Sequence, residues 1–276
     1  MNLAPVTAIG WKAHAALRGG GGAVTVLASL SASVYGRAGD AIVWLGPGSS
    51  TLHPRAILCD DARTAGPHAP GATLRVDATG LTPWRPIRPA VTVATAATMR
   101  RGCAELVDAV TRLGTPQGFA PLLAGDAPAF PLHDAATAAR ALARACAADD
   151  TEAAASAAVD LLGLGAGLTP SGDDFVGGAF FARALLAPVG ANPGRWRRAA
   201  GAVRDAAVTR THVISAALVG DLLDGDGHAP LHDLAGALAR GAAAPALDAA
   251  RRLVDVGHTS GWDLLSGFAA GVGVSG

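Results

Sequence analysis

The chain has 276 residues, half of them apolar, which is enough for one large domain or two smaller ones. Its 22 basic and 22 acidic residues give a formal net charge of zero, so the charge balance does not predict binding to nucleic acid or to an acidic membrane. The longest apolar runs are too short to span a bilayer and the N-terminus lacks a signal-peptide pattern, so we expect a cytoplasmic protein.

The N-terminal third is predicted to contain a short helix followed by strands. Residues 3–18 have a helical pattern that stops at the glycine run 19–22. From Ala23 onward, apolar residues alternate with Thr and Ser, as in a half-buried strand. Residues 36–40 then predict a hairpin loop. Further strands are predicted at 41–45, 56–59, 73–77 and 90–93. This pattern is typical of a small antiparallel sandwich or barrel.

The rest of the chain has a helical period. Helices are predicted at 96–113, 133–148, 151–162, 172–187, 195–208, 211–223, 231–240, 245–256 and 260–273, with a Pro- and Gly-rich stretch at 114–131. The predicted fold class is therefore α+β. A β-rich N-terminal sandwich or barrel (1–95) precedes an all-α C-terminal domain (96–276).

The most distinctive stretch is GLGAGLTPSGDDFVGGAFF, residues 163–181. Its alternating glycines allow positive φ or a close backbone approach: Gly163, Gly165 and Gly167. Thr169 and Ser171 suit the start of the next helix, whose free N–H groups attract anions. The loop follows a helical segment and lacks Gly-Lys-Ser/Thr, so it is neither a dinucleotide fingerprint nor a P-loop. Two interpretations stay open, an anion-binding helix start and a simple helix–helix turn.

Two adjacent carboxylates, Asp173 and Asp174, follow this loop. Ser171 and Asp174 have the S-x-x-D form of a capping box, which is a structural role. Asp173 is not explained by the capping box. It could bind a metal-bridged phosphate, a substrate amide or an Arg, or it could only stabilise the helix dipole, and we interpret it as a substrate or metal contact.

A second segment repeats this pattern, because SGWDLLSGFAAG (260–271) resembles SGDDFVGGAFFA (171–182). The matched residues are Ser171, Gly172, Asp174 and Gly178 with Ser260, Gly261, Asp263 and Gly267. Either two related hairpins pack closely, or two helix starts converge on one pocket. In the second case the hydroxyls of Thr169, Ser171, Thr259 and Ser260 would be donors, and His258 would lie beside the second start.

Two further histidine-containing segments are weaker candidates. Thr211 and Ser215 are four residues apart and share a helix face, although Thr211 could simply cap its helix. His228 and His232 have metal-like spacing, but glycine and proline interrupt the segment, which favours a surface loop. The three cysteines are far apart and predict neither a disulfide nor a zinc site. No metal site is therefore predicted.

The residues GLGAGLTPSGDDFVGG (163–178), the Thr-x-x-x-Ser segment (211–215) and GHTSGWDLLSG (257–267) resemble the oxamate carbamoyltransferase AllH-like family over roughly residues 160–273. Ala166 stands where that family pattern has Pro. The resemblance implies one subunit of a multi-subunit enzyme of purine (allantoin) degradation. That enzyme exchanges a carbamoyl group between oxalurate or oxamate and phosphate or carbamoyl phosphate.

We therefore expect a carbamoyltransferase-type subunit with a small anionic substrate and hetero-oligomeric protein partners, and the cofactor is left open. The expected catalytic residues are Asp173, Asp174 and His258, with His258 as acid or base. The expected substrate-binding residues are Gly163, Gly165, Gly167, Thr169, Ser171, Gly172, Thr211, Ser215, Thr259, Ser260 and Asp263. The alternative is a non-catalytic scaffold whose glycine-rich helix faces dock a partner, or a subunit that only binds small anions.

Overall fold

The structure is a computed structural model that describes residues 5–60, 68–190 and 193–274. By its internal contacts the chain divides into two compact units, residues 1–86 and 87–276. Among the described residues, the first unit contains a six-stranded sheet and the α-helix at Trp11–Gly19, and the second unit contains the other α-helices. The predicted α+β class is confirmed.

The first unit is built on one sheet in the order β1-β5-β4-β3-β2-β6. Its elements are β1 (Val6–Ile9), α1 (Trp11–Gly19), β2 (Ala23–Ser29), β3 (Val34–Ala38), β4 (Ala41–Pro47), β5 (Ala56–Cys59) and β6 (Thr73–Arg75). Alternate side chains of the strands pack with α1 in a single apolar core that includes Ile9, Leu17, Val24, Val43 and Ile57.

Three details of this region differ from the sequence expectations. The expected helix at 3–18 begins outside the described residues, and it is wrong at 6–9, because β-branched residues of β1 pair there with β5 before α1 begins. The sheet is not wholly antiparallel, since β4 and β5 run parallel. The strand expected at 90–93 is wrong as well. Thr92 instead caps a helix, and its side chain accepts a hydrogen bond from the Thr95 N–H.

The second unit contains helices in all nine places where the sequence predicts them, with ends that differ by a few residues. They are α2 (Val93–Asp108), α3 (Ala136–Ala147), α4 (Thr151–Leu161), α5 (Ser171–Leu186), α6 (Pro193–Arg210), α7 (Val213–Leu223), α8 (Ala229–Ala239), α9 (Ala243–Val254) and α10 (Ser260–Val272). In the described part of the chain, none of the helices is long and apolar enough to cross a membrane.

Helices α5 and α10 lie at the centre of this unit. Every residue of α5 except Ala184 is buried, and so is every residue of α10 except Ser260. A helix surrounded by protein on all sides needs apolar or small residues all round, which explains why both sequences lack a polar face. Polar groups buried on these helices therefore require a specific explanation.

The two histidines with metal-like spacing do not lie in a surface loop. His228 precedes α8, and His232 is buried within it, where its Nε2 accepts a hydrogen bond from the Gly227 N–H at 3.0 Å. Burial lowers the pKa of each imidazole to about 4, so both are neutral at pH 7. Among the described residues, no three His, Cys, Asp or Glu side chains are grouped to hold a metal ion.

Candidate functional site

The two matching segments belong to two helical hairpins of the same construction, α4–α5 and α9–α10. Gly172 is the second residue of α5, and a Cβ there would lie 2.0 Å from the Leu161 carbonyl oxygen. Gly261 is the second residue of α10, and a Cβ there would lie 1.9 Å from the Leu253 carbonyl oxygen. In each hairpin, glycine lets the start of one helix press against the end of the preceding helix.

The helices α5 and α10 contact each other through glycine. A Cβ at Gly178 would be 2.3 Å from the Leu264 carbonyl oxygen, and a Cβ at Gly267 would be 2.0 Å from the Phe175 carbonyl oxygen. The close packing of related hairpins is therefore observed. The glycine faces of α5 and α10 cover each other within one chain, so they are not open to a partner helix. The scaffold alternative required these faces to be open.

The starts of α5 and α10 also meet, joined by two pairs of hydroxyls. Thr169 Oγ1 lies 3.3 Å from Ser260 Oγ, and Ser171 Oγ lies 3.2 Å from Thr259 Oγ1. The expected capping box of Ser171 and Asp174 is wrong, because Pro170 is the N-cap and no side chain caps the helix. Ser171 is the first helical residue, and its hydroxyl bonds across to the other hairpin.

Two buried carboxyl groups lie beside these hydroxyls, one from each helix. Asp174 and Asp263 are each the fourth residue of their helix and are 6% and 0% exposed. Asp263 Oδ1 accepts a hydrogen bond from the Phe119 N–H at 2.7 Å. Among the described residues, the Oδ2 atoms of both carboxyl groups are buried without a hydrogen-bond partner. A bound water, a ligand or a shared proton would give these buried oxygens a partner.

Burial also changes how these carboxyl groups ionise. Desolvation raises the pKa of Asp263 to about 7, although the Phe119 N–H and the hydroxyls of Ser171 and Thr259 favour the carboxylate. Desolvation raises the pKa of Asp174 well above its usual value, and the charges of Asp263 and Asp173 raise it further. Burial thus favours the protonated form of both groups, and the donors around Asp263 oppose this effect there.

Asp173, expected to contact substrate, accepts three hydrogen bonds from the protein. It is fully buried, its Oδ1 accepts from the Gly163 N–H at 2.7 Å, and its Oδ2 accepts from Ser215 Oγ at 2.5 Å and from the Thr211 hydroxyl. Three residues that were each predicted for the site therefore lie together, and we call them the clamp: Asp173, Thr211 and Ser215. The clamp fixes the glycine loop and the start of α7 against α5.

The glycine loop has the positive φ angles that its composition predicts: +79° at Gly163, +119° at Gly165 and +91° at Gly167. A Cβ at Gly163 would be 2.2 Å from the Arg210 carbonyl oxygen, and one at Gly165 would be 2.7 Å from the Ser171 nitrogen. Gly167 has open space around it. In the described structure the N–H groups of residues 165–169 have no protein acceptor, so this exposed edge can receive an anion.

The turn at Gly118 and Phe119 is a part of the site that sequence reasoning missed. Gly118 has φ +57°, and a Cβ there would be 2.1 Å from Asp263 Oδ1. Phe119 donates its N–H to that same oxygen from 144 positions away in the chain. The only local signal was a glycine in a Pro- and Gly-rich stretch, which is equally typical of an ordinary turn.

Comparison with known families bears directly on these two hairpins. Residues 161–272 match the model of the family described as oxamate carbamoyltransferase subunit AllH. The match confirms the resemblance over that segment, here called the AllH segment. No curated protein and no solved structure matches the chain.

The AllH segment contains the glycine loop, α5 and α10, and therefore both carboxyl groups and all four hydroxyls. It also contains His258, whose side chain is exposed just before Thr259. His212 is the N-cap of α7, where its Nδ1 accepts from the Ile214 N–H, so the alternative that Thr211 caps this helix is wrong. The turn at Phe119 lies outside the AllH segment.

Proposed function

We propose that the chain is a subunit of a carbamoyltransferase-type enzyme and that the starts of α5 and α10 bind its small anionic substrates, oxamate or oxalurate and carbamoyl phosphate. The single observation that carries the proposal is the pair of buried carboxyl groups, Asp174 and Asp263, each with an unpartnered Oδ2 beside the hydroxyls of the opposite helix. The description of the matched family supports the choice of reaction.

The chemistry of the substrates suits these groups. Oxamate and carbamoyl phosphate each combine an anionic end with a carbamoyl or carboxamide group. Free N–H groups of residues 165–169, the positive ends of two helices and the hydroxyls of Thr169 and Ser260 can receive the anionic end. The carboxyl pair can receive the amide. Donors held in place beside the carbonyl oxygen would stabilise the charge that develops there during transfer.

The roles differ for the three aspartates of the site. Asp174 and Asp263 are assigned to substrate contact, whereas Asp173 is a positioning residue because its oxygens are bonded to Gly163, Thr211 and Ser215. His258 is retained as the proposed acid or base on the basis of its exposed position beside Thr259.

Turnover of carbamoyl phosphate with oxamate, measured in the complex purified with its native partners, tests this function. Ser260→Ala is expected to lower kcat/KM at least about tenfold, since it removes a hydroxyl donor to the substrate. Ser156→Ala, on the exposed side of α4, is the matched control and is expected to change little. If Asp174→Ala and Asp263→Ala together leave turnover unchanged in an intact complex, these carboxyl groups do not contact substrate and the proposal is wrong.

A further inference from the structure

We propose that Asp174 and Asp263 hold one proton between them and form a carboxamide-specific subsite, in which Asp174 donates to the carbonyl oxygen and Asp263 accepts from the NH₂ group. This inference rests on the proposed function and deepens it. It names the end of the substrate that Asp174 and Asp263 bind, the carboxamide, and the group that they exclude, a carboxylate.

The surroundings of the two carboxyl groups differ, and the difference decides which one keeps the proton. Asp263 Oδ1 accepts from the Phe119 N–H, and the hydroxyls of Ser171 and Thr259 also favour its ionised form. Asp174 has only the Ser260 hydroxyl to favour its ionised form. Donors stabilise a carboxylate, so the negative charge resides on Asp263 and the proton on Asp174.

The charges near the two carboxyl groups also favour a proton on Asp174. From α5, Asp173 adds negative charge near Asp174, and hydrogen bonds from Gly163, Thr211 and Ser215 hold that charge in place. From α10 and from the turn at Phe119, only neutral donors face Asp263. Among the described residues, neither Asp174 nor Asp263 forms an ion pair. Two buried carboxylates without a cation cannot both ionise easily, so retention of one proton is the low-energy state.

One O–H donor next to one carboxylate acceptor is the complement of a primary amide. The amide carbonyl accepts one hydrogen bond and the NH₂ group donates, so both unpartnered Oδ2 atoms gain a partner. A carboxylate in the same place would present an acceptor to the ionised Asp263, and both would be left unpaired and repelled. Oxamate and oxalate differ in only this one group, so they form a matched pair of probes.

The test is calorimetric titration of the full chain, in its native complex, with oxamate and with oxalate between pH 6 and pH 9. Oxamate is expected to bind at least about tenfold more tightly than oxalate at pH 7.5 and to weaken as the shared proton is lost at higher pH. Asp174→Asn keeps a donor that does not titrate. It is expected to weaken oxamate binding only a few-fold and to remove the decline at high pH. Asp263→Asn places a donor against the NH₂ group and is expected to weaken oxamate binding about 10- to 100-fold.

Three outcomes would overturn the inference. Equal affinity for oxamate and oxalate, with both variants weakened alike, leaves small-anion binding in place but removes the carboxamide subsite. Binding that requires Mg²⁺ and is abolished by a chelator replaces the shared proton with a cation. If neither probe binds to the unmodified complex, the proposed function and this inference are both wrong. The melting temperature of each variant, followed by circular dichroism, separates lost binding from lost folding.

Discussion

Replacement of Gly267 by alanine tests the contact on which the site depends. The added methyl group would lie 2.0 Å from the Phe175 carbonyl oxygen, 2.8 Å from the Phe175 carbonyl carbon and 3.0 Å from the Ala179 nitrogen. All three are backbone atoms of α5, so no side chain can rotate out of the way. Ordinary contact begins at 3.4 Å, so α10 must move roughly 1.4 Å away from α5.

Two opposing effects determine how much Gly267→Ala changes the free energy of unfolding. Alanine in place of glycine inside a helix is worth about 1 kcal/mol in favour of the folded state. A gap of about 1 Å between packed surfaces forfeits up to half of their dispersion attraction, and overpacking a core costs about 1–3 kcal/mol and sometimes more. Because α5 and α10 are buried along almost their whole length, the upper end of that range applies. We expect Gly267→Ala to lower the free energy of unfolding by about 2 kcal/mol or more.

Thermal unfolding followed by circular dichroism at 222 nm measures this effect. For a domain of this size about 2 kcal/mol corresponds to a melting temperature lower by roughly 4–8 °C. Gly201→Ala is the matched control, since Gly201 lies in α6 with no atom within 4 Å of an added Cβ, and it is expected to raise stability by up to about 1 kcal/mol. If Gly267→Ala is as stable as Gly201→Ala, the described approach of α5 and α10 is wrong.

Three other changes test individual groups. The raised pKa of Asp263 means that folding favours the protonated form. Its contribution to stability is therefore complete below about pH 4 and is lost as pH rises to about 7, by roughly 4 kcal/mol. Asp263→Asn is expected to flatten that pH dependence in urea titrations, whereas Asp255→Asn, at an exposed position, should leave it intact. Asp173→Ala removes an acceptor of three hydrogen bonds, so it is expected to lower the free energy of unfolding by about 3 kcal/mol and to speed amide hydrogen exchange in the glycine loop. The control is Asp160→Ala, at an exposed position, which is expected to leave this exchange unchanged. Unchanged exchange in Asp173→Ala would contradict the clamp. Gly118→Ala would push on Asp263 Oδ1 and is expected to lower turnover at least about tenfold. Gly125→Ala also has positive φ but open space, and it should cost stability only; equal turnover of the two variants would contradict the role of the turn.

Local sequence patterns predicted the helices of the second unit well, because their apolar periods and their glycine and proline boundaries are local properties. The matched segments 171–182 and 260–271 likewise predicted two equivalent helix starts. The structure shows the close packing of the two hairpins and shows that their helix starts meet through two hydroxyl pairs, whereas a ligand pocket between them stays a proposal.

The failures of sequence reasoning have a common physical cause, which is that partners distant in sequence decide the role of a side chain. Ser171 and Asp174 have the spacing of a capping box, yet Ser171 bonds to Thr259 in the other hairpin. Asp173 lies next to Asp174 in the chain, but successive helical residues point about 100° apart, and only Asp173 faces Thr211 and Ser215. The Phe119 N–H has no side-chain chemistry to mark it in the sequence.

The most direct measurement of the central claim is a crystal structure of the chain, in its native complex, with oxamate bound. The account predicts oxamate between the starts of α5 and α10, with its amide within hydrogen-bonding distance of Asp174 Oδ2 and Asp263 Oδ2 and its carboxylate near the hydroxyls and the glycine loop. Oxamate bound elsewhere, with both Oδ2 atoms still unpartnered, would contradict it.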